Sequence, residues 1–190
     1  MTPPLFIAVT VPCTIAARLA ALGGGIPGGR QVPAENMHIT LRYLGEIETM
    51  LADEICEALS TVSHSTFTLK VSGVGFFGKR RDPRLLYAGV RPHDELVMLH
   101  HKVESLLLQL RVRPRERKYH PHITLARLKG ASPHRIGDFV TANNLLESPP
   151  FEIRSFALHE SHRRSDGSHY RMVQEYALDN CAEGLCIVES

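Results

Sequence analysis

No apolar run in this chain reaches the length needed to span a bilayer, and none of its four cysteines stands in a zinc-binding spacing. Cys13, Cys56, Cys181 and Cys186 therefore read as reduced thiols, which points to a cytoplasmic protein. The opening stretch MTPPLFIAVTVP lacks a basic n-region and reads as a first strand, not as a signal peptide. An excess of one charge is also missing. The formal charge is +2, so an anionic ligand is permitted but not demanded, although eleven histidines add positive charge as pH falls. The glycine-rich stretch 23–29 (GGGIPGG) lacks the Lys-Ser/Thr of a phosphate-binding loop and reads as a flexible connection. No carboxylate-rich or cysteine-rich set accompanies the histidine pairs His120–His122 and His100–His101. No metal site and no cofactor are expected from them.

What is there suits one domain, or two small lobes around one core: 190 residues, 43% of them hydrophobic. Strands are expected at 4–11, 36–44, 66–77, 84–91 and 120–128, with a closing strand pair at 151–160 and 169–178. Helices are expected at 13–22, 46–62, 94–110 and 133–143. The second carries Ile47, Leu51, Ile55 and Leu59 on one face, the third Leu96, Leu99, Val103, Leu106 and Leu110. Without a regular βαβ alternation, this order predicts an α+β fold with largely antiparallel sheets. It occupies residues 1–180, followed by a tail at 181–190.

The chain also echoes itself. HITLRYLG begins at His38 and HITLARLKG at His122, each in a strand-helix context. The echo predicts a bilobal, pseudo-two-fold arrangement. Alternation on a strand puts His38 and Thr40 on one face, with Ile39 and Leu41 behind them in the core. His122 and Thr124 share a face in the same way, backed by Ile123 and Leu125. If the two strands lie side by side, two imidazoles and two hydroxyls meet in one cleft. Such a set fits cleavage of a phosphodiester without a metal. One neutral imidazole takes a proton from water and the other, protonated, gives one to the departing ribose oxygen. Threonine hydroxyls donate to the non-bridging oxygens, where charge concentrates.

Paired H-x-T-x motifs about 80 residues apart resemble those of the two-histidine phosphoesterase superfamily. The chain is most similar to its RNA 2′,3′-cyclic phosphodiesterase branch, also called the 2′–5′ RNA ligase family. The resemblance runs from FIAV through HITLRYLGE (38–46) and PHITLAR (121–127) to FALHES (156–161) and Tyr170. It implies sheets lining a central cleft with helices outside. It further implies His38 as the acid toward the leaving oxygen, His122 as the base toward water, and Thr40 and Thr124 as phosphate ligands. The implied product is a 2′-phosphomonoester, and the joining or opening of 2′–5′ linkages is also implied. Leu5 stands where the family often has a basic residue, which removes one substrate contact.

Arg127 matches a family arginine near the phosphate, yet strict alternation puts it opposite His122 unless the strand ends or twists there. Tyr43, at the matching place in the first motif, reads either as a platform for a base or as a packed core residue. KRR (79–81), RVRPRERK (111–118) and HRR (162–164) are solvated loops or a groove for an RNA backbone. His64, His93, His134, His159, His162 and His169 are expected to be mostly exposed. The expected ligand is RNA with a 2′,3′-cyclic phosphate end or a small cyclic nucleotide, with no membrane and no obligate protein partner. The alternatives are a superfamily phosphodiesterase for a small cyclic nucleotide, and a non-catalytic RNA-binding module.

Overall fold

The computed structural model describes residues 3–22, 28–114, 118–164 and 167–179. Among the described residues, nine strands form one antiparallel sheet: β1 Leu5–Thr10, β2 Gly29–Gln31, β3 His38–Gly45, β4 Phe67–Lys79, β5 Asp82–Arg91, β6 His122–Leu128, β7 Phe151–Ile153, β8 Ser155–Arg164 and β9 Gly167–Ala177. Four helices connect them: α1 Cys13–Leu22, α2 Thr49–Leu59, α3 Asp94–Gln109 and α4 Pro133–Ala142. The spatial order is β7-β4-β5-β6-β3-β1-β8-β9, with β2 added to β6. The expected elements are present, and β2 is an addition that its three short polar and glycine residues did not signal.

Two nearly equivalent halves meet where β3 pairs with β6 at Ile39↔Ile123. Outward from this seam, β3, β1 and β8 on one side match β6, β5 and β4 on the other. In chain order the first repeat is β1-α1-β3-α2-β4 and the second is β5-α3-β6-α4-β8. The last strand of each repeat therefore joins the other half. The expected strand at 151–160 breaks at Arg154. β7 pairs with β4 at one end of the sheet, and β8 pairs with β1 at the other. Since one residue links β7 to β8, the sheet must curl until its ends meet.

Helices cover the outer surface of the curl. α2 buries Ile55 and Leu59. α3 buries Leu96, Leu99, Val103 and Leu107 against Ile39, Leu41, Ile123 and Leu125 of the central strands. Leu107, and not Leu106, is the buried residue of the last turn. His64 is buried and His159 is half-buried, contrary to the exposed setting expected for most isolated histidines, and His100 of the His100–His101 pair is buried too. His64 lies 3.5 Å from Glu95, and His100 stacks on Tyr119 at 3.9 Å, so both sit in polar or aromatic company. Cys181, Cys186, the tail 181–190 and the centres of GGGIPGG and RVRPRERK lie outside the described residues. No helix among the described residues is long and apolar enough to cross a membrane.

Candidate active site

The two HITL strands are built alike down to their irregularities. In β3, Ala8 pairs with Thr40 and Ile7 with Arg42, which leaves Leu41 as an extra residue. In β6, Tyr87 pairs with Thr124 and Leu86 with Ala126, which leaves Leu125 extra in the same way. Each is a β-bulge one residue past the threonine. A bulge inverts the phase of alternation. In β6 both Leu125 and Ala126 are buried, and Arg127 emerges on the face of His122 and Thr124. In β3 both Leu41 and Arg42 are buried, and Tyr43 emerges beside His38 and Thr40. The mismatch in Arg127's spacing is thus resolved by one inserted residue. Tyr43, 58% exposed, is a surface residue of the cleft and does not pack in the core.

The pairing of Ile39 with Ile123 sets the rest of the geometry. It puts Thr124 across from His38 and Thr40 across from His122. Directly opposed side chains on one face of an antiparallel pair stand about 5 Å apart at Cβ. The four residues of the twin H-x-T motifs therefore converge at the seam between the lobes. Arg127 adds a cation whose field reaches His38, and Arg30 of β2 lies across from it.

Each imidazole is held by the backbone two residues earlier. His38 Nδ1 donates to the carbonyl oxygen of Asn36 at 2.8 Å, and His122 Nδ1 to that of His120 at 2.7 Å. A carbonyl only accepts, so each Nδ1 carries the hydrogen and each ring is left with Nε2 as the nitrogen able to take up a proton. Around the rings stand aromatic walls, of which only Tyr170 and the Phe6 of FIAV belonged to the stretches that carried the resemblance. Phe6 lies 4.8 Å from His38, and Tyr170 meets the same ring edge-on at 5.2 Å. Phe77 and Tyr87 meet His122 edge-on at 4.9 and 5.4 Å. Phe6 also stacks on His159 at 5.0 Å, so a third imidazole stands in the first lobe. Phe6 could have been found by tracing which face of the first strand opposes Thr40. Phe77 and His159 come from distant strands and had no local signal.

Burial against these walls holds the His38 imidazole down, to a pKa of about 4, and the positive fields of His159, His122 and Arg127 act in the same direction. The hydrogen bond to Asn36 opposes them. His159 is likewise pushed below its ordinary value by burial. Among the described residues, no group of three or more His, Cys, Asp or Glu side chains is placed to hold a metal ion.

Comparison with known proteins agrees with this construction. The family described as LigT like Phosphoesterase matches residues 9–87 and 90–170. An RNA 2′,3′-cyclic phosphodiesterase of Archaeoglobus fulgidus is 32% identical over 90% of this chain and 98% of its own. One of the same name from Aeropyrum pernix is 32% identical over 80% of this chain and 86% of its own. A crystal structure of E. coli LigT complexed with 3′-AMP shares the fold, with a TM-score of 0.76 at 24% identity over 94% of this chain and 99% of that one. Both histidine strands fall within the matched stretches, and the chain belongs to the LigT-like phosphoesterase family.

Proposed function

We propose that the chain hydrolyses the 2′,3′-cyclic phosphate end of RNA to a 2′-phosphomonoester, with His38 and His122 as the proton-transfer pair. The observation that carries this reading is the duplicated strand. Two imidazoles in one cleft, each fixed through Nδ1 to a carbonyl, are brought together with two threonines and Arg127. The names of the relatives favour the same substrate.

In the proposed reaction the base removes a proton from water as its oxygen bonds to phosphorus. The bond from phosphorus to O3′ breaks, and the acid delivers a proton to O3′. Thr40 and Thr124 donate to the non-bridging oxygens, and Arg127 offsets the charge gathered there. With a ribose 5′-hydroxyl in place of water, the same steps form a 2′–5′ linkage.

The family resemblance assigns the acid to His38 and the base to His122. The burial of His38 favours the opposite order, because an imidazole with a pKa of about 4 is neutral at pH 7 and ready to accept a proton. The first order requires the phosphodiester anion to raise that pKa on binding, as an opposite charge within about 4–6 Å does. An activated leaving group separates the two. It departs without a proton, so it rescues whichever alanine variant lacks the acid. Rescue of His38→Ala supports the first order, and rescue of His122→Ala reverses the roles. Rescue of neither argues that the histidines only bind phosphate.

The reading as a whole is tested by turnover. Oligonucleotides ending in a 2′,3′-cyclic phosphate are expected to be opened with release of no base or nucleoside. Exclusive turnover of 3′,5′-cyclic nucleotides, or binding of RNA with no turnover at all, would refute it.

A further inference from the structure

A groove of about 980 Å³ opens beside His122, between the β4–β5 pair and α3. At the end nearest His122, taken as its mouth, it is lined by Tyr87 and His120, whose rings meet at 5.4 Å; the Tyr87 ring also meets that of His122 at 5.4 Å. From there it follows β5 to Arg91, with His101 of α3 and Lys118 also lining it. That volume is at the upper end of what a drug-sized ligand fills, and exceeds what a cyclic phosphate and its ribose require. Two glycines allow the close approaches that shape this wall. A Cβ at Gly75 would lie 2.6 Å from the Tyr87 ring, and one at Gly89 would lie 2.6 Å from the Ser72 carbonyl oxygen. Two acids share the lining, Asp94 and Glu104. Glu104 is held by both oxygens on Arg42 at 3.0 Å, so its charge is already compensated.

We propose that this groove binds the RNA strand on the 5′ side of the cyclic phosphate. The strand then leaves the cleft past Tyr87 and His120 toward Arg91, and not over the basic turn at Arg80 and Arg81. The inference rests on the phosphodiesterase reading given above. A cyclic phosphate occupies both the 2′ and 3′ oxygens of the last ribose, so the polymer continues only from its 5′ oxygen. The groove mouth touches the second histidine, where that ribose must lie. Tyr87 offers a π-face to a base. Arg91 lies four residues farther along the strand, roughly 13 Å away, and meets a phosphate beyond the terminal nucleotide. Lys118 supplies a second cation to the same backbone.

The test compares a pentanucleotide ending in a 2′,3′-cyclic phosphate with a 2′,3′-cyclic mononucleotide. In the double variant Arg91→Ala/Lys118→Ala, kcat/KM for the pentanucleotide is expected to fall about ten-fold, while the mononucleotide stays within about two-fold. The logarithmic salt dependence of the pentanucleotide should flatten by about 1.4 units, about 0.7 for each cation removed. Arg80→Ala/Arg81→Ala should leave both substrates unchanged. Equal losses on both substrates, no loss on either, or a loss confined to the Arg80/Arg81 variant would each overturn the proposal. Binding of a pentanucleotide with a 2′-phosphate end, read by fluorescence anisotropy, is independent of turnover. If the wild type opens neither cyclic substrate, the phosphodiesterase reading fails. The groove then stands or falls on whether Arg91→Ala/Lys118→Ala weakens that binding.

Discussion

His38 is a residue whose placement favours chemistry over stability. An unfolded chain binds a proton at an ordinary histidine near pH 6.5, whereas the folded site resists it until about pH 4. His64 and His159 are shifted the same way by burial. Stability contributed by the neutral rings is therefore fully present above pH 6.5 and is lost as pH falls below it, for His38 through about pH 4. For His38 alone the loss is at most about 3 kcal/mol. Melting curves should show Tm dropping through this window, with a shallower drop in His38→Gln. A slope unchanged in that variant would show that the ring is not the group responsible. Activity should respond very differently to the same residues. His38→Ala and His122→Ala are each expected to lose about 10²- to 10⁴-fold in kcat with the natural leaving group while remaining folded. Near wild-type turnover in either soluble variant would remove that histidine from the proton-transfer pair. These two residues and their threonines were legible in the sequence because duplication wrote the same four letters twice. Phe6, Phe77 and Tyr87 were not, because a wall assembled from three strands leaves no spacing along any one of them.

The bulge is the element that decides what each HITL strand shows to the cleft, and alternation alone could not place it. A period of two is legible from composition, but an extra residue appears only in the pairing register, which depends on the neighbouring strand. Arg42 and Tyr43 give the bulge a measurable signature. Arg42 is 6% exposed, pairs with Glu104, and also donates to the carbonyl oxygen of Arg113. Tyr43, its neighbour, faces the cleft. Urea unfolding should show Arg42→Ala losing about 1–3 kcal/mol, since the half-buried Glu104 would lose both of its hydrogen bonds to the guanidinium. Tyr43→Ala should stay within about 0.5 kcal/mol. The reverse ranking would mean that the strand runs without the inversion. β2 and the break at Arg154 escaped the sequence for a related reason. A three-residue strand carries too little pattern to register, and a strand that changes partners midway keeps its apolar alternation on both sides of the break.

At the scale of the molecule, the pseudo-two-fold was legible from the repeated motif, as were the antiparallel class and the helices outside. The reaction read from the two motifs uses imidazoles and hydroxyls only. Exhaustive dialysis against a chelator is therefore expected to leave turnover intact. Loss of activity restored by zinc or manganese would instead make His120 and His122 ligands. The trade of strands between the halves could not be read in advance, since nothing local in β4 or β8 says which neighbour it will choose. That trade has a consequence for how the protein is held together. Each half is completed by an arm from the other, as in two subunits that have swapped segments and then been joined end to end. The turn at Arg80 and Arg81 is where such a join would lie. A chain cut there should yield two fragments that are each incomplete alone and that recover one cleft, with one histidine from each, only by finding one another.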